Sequence, residues 1–193
     1  HADSGQPLEA TLFLALAERR SVPCRGNSEL LRGDRTRLAV EERSAPVFDS
    51  SGQLIGGVMV LRDVSLSREI DLRRSWEATH DALTHIYNRR EFESRVRTAF
   101  AELQAGGQGF VVCFLDLDGF KVVNDTCGHA AGDRLLIQIA QLFGGRIRET
   151  DTLARLGGDE FGILLAGCDV SRAQVIAREI ISAVGDYLFM FEG

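Results

Sequence analysis

Phe110-Val111-Val112-Cys113-Phe114-Leu115-Asp116, and further on Leu153-Ala154-Arg155-Leu156-Gly157-Gly158-Asp159-Glu160-Phe161-Gly162-Ile163-Leu164-Leu165, are the stretches that decide the fold. Six continuous apolar residues from Phe110 lack the alternation of a half-exposed strand and read as a buried central strand, covered on both faces and ending at Asp116. Leu153 to Leu156 and Phe161 to Leu165 read as two short strands, and Gly157-Gly158 joins them as a hairpin with polar residues at its tip. Helical patterns surround these strands. Asn88 and Glu91 form a capping box ahead of Phe92, Val96, Ala99, Phe100 and Leu103, which share one helical face. Leu135, Leu136, Ile139, Ala140 and Phe143 make a second such face, and Ser171 with Gln174 caps a third helix carrying Ile176, Ala177, Ile180 and Val184. The order helix, strand, helix, hairpin, helix predicts an α+β domain, an α/β sandwich with one or two helical layers on a sheet.

Toward the N-terminus, Thr36 to Glu42 alternates and Leu54 to Leu61 is richly apolar, with Asp49-Ser50-Ser51-Gly52 as the turn between them. This predicts an antiparallel pair. From Leu66 to Thr79 the pattern turns helical and charged, with Leu66 and Ile70 one turn apart. A connecting helix and a solvated linker both fit so thin an apolar stripe.

The 193 residues are long for one small domain and short for two complete ones. With 45% hydrophobic and 26% charged residues the chain buries an ordinary core, and a net charge of −6 argues against wrapping nucleic acid by neutralising its backbone. Any phosphate ligand is therefore held locally. The apolar runs Val58 to Leu61 and Phe110 to Leu115 fall far short of a bilayer span. Cys24, Cys113, Cys127 and Cys168 have no paired metal-ligand spacing, which favours reduced thiols and a cytoplasmic compartment, with room for membrane segments elsewhere in a longer parent protein. His1 does not look like a natural start.

The chemistry gathers at the strand ends. Side chains alternate along a strand, so Asp116 and Asp118 leave the first strand on one side, and Asp159 and Glu160 leave the hairpin tip; the four carboxylates are expected to converge. Buried together they would repel, and a hard divalent cation with oxygen ligands removes that repulsion. Mg²⁺ fits best, because it keeps few protein ligands and completes its shell with substrate phosphates. Acidic strand ends are also commonly just solvated. Gly157 and Gly158 lack a Cβ and let a ligand approach backbone amides that donate to phosphate oxygens, although a Gly-Gly hairpin is equally at home as a simple turn. Lys121 follows the acidic strand end within reach of a phosphate, and Asn124 offers a donor and an acceptor to a base edge. Surface solvation also accounts for each of them.

Three separated motifs give the sequence a family likeness. Arg155-Leu156-Gly157-Gly158-Asp159-Glu160-Phe161 resembles the signature of the GGDEF family. Leu115-Asp116-Leu117-Asp118-Gly119-Phe120-Lys121-Val122-Val123-Asn124-Asp125, with Gly128-His129 and Gly132-Asp133, resembles its second motif at the same spacing, and Asp81-Ala82-Leu83-Thr84 with Asn88-Arg89-Arg90 resembles its opening segment. His85 and Ile86 depart from that pattern, where glycine and leucine are usual.

The resemblance implies a diguanylate cyclase with a palm-like sheet flanked by helices. It implies condensation of two GTP molecules into cyclic di-GMP with release of pyrophosphate, in a homodimer whose half-sites each hold one GTP. Carried onto this sequence, Asp116, the carbonyl of Leu117 and Asp159 hold Mg²⁺ or Mn²⁺, and Glu160 is a metal ligand or the base for the ribose 3′-hydroxyl. Asn124 and Asp133 read guanine, the Phe120 amide and Lys121 bind phosphates, and Gly157 and Gly158 contact substrate. Asp118 has no assigned role, while Asp125 and His129 brace the loop. Arg148-Glu149-Thr150-Asp151 resembles the family's inhibitory product site, with Arg148 and Asp151 as its binding residues. An ordinary surface pair is the other reading of those two.

Residues 1–65 resemble the latter part of a PAS sensor domain, a partial antiparallel sheet closing at Arg62-Asp63-Val64-Ser65. Residues 66–80 then form the connecting helix and residues 81–193 a GGDEF domain lacking a later strand and helix, where basic phosphate-binding groups are expected. Tyr187 to Gly193 resembles GGDEF domains that precede an EAL phosphodiesterase domain. A catalytically silent module that binds GTP or cyclic di-GMP and regulates such a domain is the alternative to an active cyclase, and a dimerising sensor fragment is a third reading.

Overall fold

Strand β7 (Glu160–Ala166) is the spine of the C-terminal half, hydrogen-bonded on one side to β6 (Thr152–Gly157) and on the other to β5 (Phe110–Asp116). These names follow chain order in a computed structural model that describes residues 11–23 and 28–190. His1, Cys24 and Phe191 to Gly193, which entered the sequence reading, lie outside the described residues. Two compact units divide the chain, residues 1–74 and 75–193.

In the N-terminal unit α1 (Thr11–Glu18) precedes a three-stranded sheet of β1 (Ser28–Leu31), β2 (Arg37–Phe48) and β3 (Leu54–Asp63), antiparallel throughout in the order β1-β2-β3. The predicted pair is β2 and β3, but β2 runs six residues past Glu42, through Pro46. Proline has no N–H to give a ladder, and it is accommodated because β1 pairs β2 only from Arg37 to Val40. The turn is held by Asp49, whose Oδ1 accepts from the amides of Ser51 and Gln53, both at 2.9 Å, and from the Ser51 hydroxyl at 2.7 Å. Helix α1 is tied to the sheet by the buried Thr11–Ser44 hydroxyl pair at 2.7 Å. Helix α2 (Ser65–Thr79) resolves the choice between helix and linker, and none of its residues is buried.

In the C-terminal unit the sheet order is β4-β6-β7-β5, with β4 (Tyr87–Asn88) parallel to β6 and the other pairs antiparallel. Two helical layers enclose it. Helix α3 (Arg89–Gln104) covers one face through Phe92, packed with Ala154 and Leu164; α5 (His129–Gly144) and α6 (Val170–Gly185) cover the other through Leu136, Ile139, Phe143, Ile176 and Ile180 against Phe161, Ile163 and Leu165. Alternation along β7 thus feeds both cores. Gly162 lies on the α3 face, where a Cβ would come within 2.8 Å of the Phe92 ring. Phe161 is fully buried and meets Phe143 edge-on at 5.3 Å, a side chain whose burial is worth about 1.5–3 kcal/mol.

The central strand is therefore β7, which corrects the reading of β5. Among the described residues β5 is an edge strand bonded to β7 alone, and its Phe114 is 74% exposed. Its apolar run reports composition, and composition does not say which strand has two neighbours. The N-cap of α3 is Asn88 as expected, accepting from the Glu91 amide at 2.9 Å, while Glu91 turns to Arg95 instead of closing the box. The cap of α6 is Asp169, two residues before the expected Ser171, and accepts from the Arg172 amide at 2.7 Å. Residues 120–127 form an additional helix, α4 (Phe120–Cys127), which its short apolar pattern did not announce.

Candidate active site

The β6–β7 hairpin tip and the end of β5 lie side by side. Glu160 is the register partner of Asp116 across β7 and β5, and of Gly157 across β7 and β6. A register shift between Arg155 and Gly157 tightens the turn, and Gly157 (φ 143°) and Gly158 (φ 55°) occupy backbone conformations that favour glycine. Arg155 braces the tip. Its Nε and a terminal nitrogen donate to the Gly158 carbonyl at 2.9 and 2.8 Å, and its other terminal nitrogen pairs with Asp81 at 3.2 Å.

Asp81 anchors that brace in turn. Burial pushes its carboxyl up, but hydrogen bonds from the Thr84 amide and hydroxyl, with the Arg155 charge, outweigh burial and hold it below the ordinary carboxylate value. Neither Arg155 nor Asp81 was given a site role from sequence. Asp81 and Thr84 at three-residue spacing carried a legible turn signal, whereas a partner 74 residues away did not.

Beyond β5, Gly119 (φ 76°) turns the chain into α4 without a side-chain cap, leaving a helix N-terminus of the kind that receives anions. The Phe120 amide donates to the Leu117 carbonyl at 3.2 Å, so the two backbone groups expected to meet phosphate and metal are bonded to each other; the carbonyl keeps a second lone pair. Lys121 is exposed on the first turn of α4 and is the only lysine in the sequence. Asn124 sits against Gly132 of α5, where any Cβ would overlap the Asn124 side chain, and Asp133 is the next residue. Helices α4 and α5 thereby bring Asn124 and Asp133 to one place. A cavity of about 270 Å³ beside Asp116 and Asp118 is lined mainly by apolar residues, among them Phe120, Leu135 and Ile139.

Convergence of the acids is narrower than expected. Asp116 and Glu160 share a register position, but Asp118 lies past the strand end and Asp159 on the hairpin tip; among the described residues no group of three or more His, Cys, Asp or Glu stands close enough to hold a metal ion. The expected four-carboxylate cluster is corrected to a pair with two neighbours. None of the four has an ion pair among the described residues, and their hard oxygens with the Leu117 carbonyl suit a hard divalent cation.

Arg148 and Asp151 are on the turn leading into β6. Both carboxylate oxygens of Asp151 accept from main chain, Oδ2 from the Arg148 amide at 2.9 Å and Oδ1 from the Ala166 amide at 3.2 Å. The Arg148 guanidinium has no ion pair among the described residues, so the two are not a simple surface pair.

A sheet between two helical layers, with a Gly-Gly-Asp-Glu hairpin tip beside an acidic strand end, defines the class: an α+β nucleotidyl-cyclase-like domain. Residues 78–192 match the family described as diguanylate cyclase, GGDEF domain, and the chain belongs to that family. The probable diguanylate cyclase DgcE of Escherichia coli is 49% identical over 148 residues, 77% of this chain and 13% of that protein. The cyclic di-GMP phosphodiesterase PdeB of Shewanella oneidensis is 30% identical over 182 residues, 94% of this chain and 20% of that protein. Among solved structures, the coiled coil and GGDEF domain of DgcB from Caulobacter crescentus, in complex with c-di-GMP, superimposes with a TM-score of 0.57 at 32% identity, covering 61% of each chain. The chain thus spans a fifth or less of the length of these two curated relatives. No helix among the described residues is long and apolar enough to cross a membrane.

Proposed function

We propose that residues 81–193 form the GTP-condensing half-site of a diguanylate cyclase. The observation that carries this reading is the pairing of Asp116 with Glu160 across β5 and β7, next to the glycine-turned tip bearing Asp159 and with no cation to neutralise them among the described residues. Asp116, Glu160 and the Leu117 carbonyl would hold Mg²⁺ or Mn²⁺, with Asp159 coming in from the neighbouring hairpin tip, and the metal when bound offsets the charge of the triphosphate. Asn124 and Asp133 receive the guanine edge, since a site built of paired polar groups rejects a base that leaves them unpaired. Lys121 and the amides of Gly157 and Gly158 receive phosphate oxygens, and the Phe120 amide joins them when it leaves the Leu117 carbonyl.

In the reaction the 3′-hydroxyl oxygen of one GTP attacks the α-phosphorus of another, the bond from that phosphorus to the bridging oxygen breaks, and pyrophosphate leaves. The hydroxyl proton passes to Glu160 or to water. Two such transfers in a homodimer close the ring of cyclic di-GMP. The chain's part is positioning and electrostatics, the usual share of the protein in phosphoryl transfer. Residues 1–65 act as the end of a PAS-type sensor and residues 66–80 as its connecting helix, in a cytoplasmic part of a longer protein. Arg148 and Asp151 bind the product and inhibit turnover. The alternative, a silent GTP or cyclic di-GMP module beside an EAL domain, draws support from the likeness to a phosphodiesterase over 94% of the chain.

The test is incubation of the chain with GTP and Mg²⁺, followed by chromatography for cyclic di-GMP. Asp159→Ala is expected to lower turnover at least about 100-fold with the fold retained, as for loss of one charge-stabilising group. Equal turnover by the variant would remove Asp159 from the site. Absence of product from the parent chain, with GTP still bound, would favour the silent module.

A further inference from the structure

On the α5–β6 side of the C-terminal unit, an open cavity of about 500 Å³ is walled by His80, His85 and Tyr87 from one segment and by Arg148, Glu149 and Asp151 from another. Nothing in the GTP-condensing reading uses the first wall. Its rings form a continuous set: Trp76 stacks on His80 at 4.6 Å with planes 1° apart, His85 lies 5.3 Å from Trp76, and Tyr87 lies 4.8 Å from His80. The Arg95 guanidinium closes the set, 3.9 Å from the Tyr87 ring. His85 is exposed and holds a φ of 61°, a conformation that favours glycine, so a histidine here maintains an exposed ring at the cavity at a cost to its backbone.

The opposite wall has the complementary polar groups. The Arg148 guanidinium and the Glu149 carboxylate have no ion pair among the described residues, whereas Asp151 is engaged by two main-chain amides. A flat ring system, a free guanidinium and a free carboxylate match the three parts of a guanine nucleotide. The base has a face to stack and N–H donors on its edge for a carboxylate, and the phosphate has oxygens for the guanidinium.

We propose that this cavity takes a guanine base of cyclic di-GMP against the His85–His80 wall, with Arg148 on the phosphate and Glu149 on the guanine edge, so that His85 contributes affinity for the product and Glu149 the preference for guanine. The proposal rests on the reading of Arg148 and Asp151 as the product site and adds to it the aromatic wall and the carboxylate. Cyclic di-AMP, whose base has no donor pair at that edge, is discriminated against by Glu149.

The experiment is calorimetric titration of the chain with cyclic di-GMP, run alongside the emission of Trp76, the only tryptophan in the sequence. His85→Gly relaxes the backbone instead of straining it, so the fold is kept. It is expected to weaken cyclic di-GMP binding about tenfold, the scale of one base–aromatic stack. His85→Phe restores most of the affinity, Glu149→Gln narrows the preference over cyclic di-AMP, and binding by the parent chain changes the Trp76 emission. Unchanged affinity in His85→Gly together with lost affinity in Arg148→Ala would overturn the aromatic wall and leave the product site standing. Unchanged affinity in Arg148→Ala, or no binding by the parent chain, would overturn the product-site reading and this inference with it.

Discussion

The two sheets of this chain bury their strands differently. In the C-terminal unit β7 has five consecutive buried residues, Phe161 to Leu165, because helices cover both faces and strands flank both edges. In the N-terminal unit the longest strand pair buries only Val40 and Ser44 of β2, and Ile55 and Val60 of β3 remain 63% and 59% exposed. A doubly covered sheet has little freedom at its strand ends, so it can hold the Asp116–Glu160 pair and the hairpin tip in one geometry. A singly covered sheet depends more on its turns, which is where the hydrogen bonds of Asp49 concentrate.

Phe161→Ala should separate the two regions most sharply. It removes a fully buried ring from the doubly covered core and is expected to cost about 3–5 kcal/mol, read as an earlier denaturant midpoint for the C-terminal unit with the N-terminal unit unmoved. A loss under about 1 kcal/mol would show that β7 is not the centre of that core.

Gly132→Ala probes how the core transmits position to the site. The added methyl overlaps Asn124, so the expected outcome is a weaker GTP interaction, about tenfold in KM, with a smaller change in stability. A KM equal to the parent's would separate Asn124 from guanine recognition.

Acid titration gives a smaller effect. Because the Asp81 carboxyl is held below its ordinary value in the folded state, its contribution is complete above the unfolded value of about 3.9 and is lost as pH falls through the lower folded value. Asp81→Asn should therefore lower the C-terminal unit's stability at neutral pH by about 1–2 kcal/mol, modest because the pair is part-exposed, and flatten its pH dependence below about 4. Parallel pH curves for variant and parent would dissociate Asp81 from acid sensitivity.

Ile55→Ser stands at the far end of the comparison. On the open face of β3 it should change stability by no more than about 0.5 kcal/mol in thermal melts. A large loss would mean that this face is covered in solution.

Much of this molecule was legible in local pattern. The helix faces of α3, α5 and α6, the Asn88 cap, the β2–β3 turn and the Gly157-Gly158 hairpin all follow from periodicity, capping and turn chemistry, which operate over a few residues. The spacing of the three motifs also named the candidate residues, and so the family resemblance, before any contact was known.

The tertiary structure decided what depends on distant partners. A run such as Phe110 to Leu115 states that a strand is apolar, but hydrogen bonding to β7 alone made it an edge, and two-sided pairing made β7 the centre. Likewise the Arg155–Asp81 brace, the overlap that ties Gly132 to Asn124, and the meeting of the His85 wall with Arg148 join segments far apart in the chain. The reason is physical: side-chain periodicity is set by local backbone geometry, whereas strand neighbours and facing surfaces are set by which packing buries the most apolar area once the whole chain has collapsed.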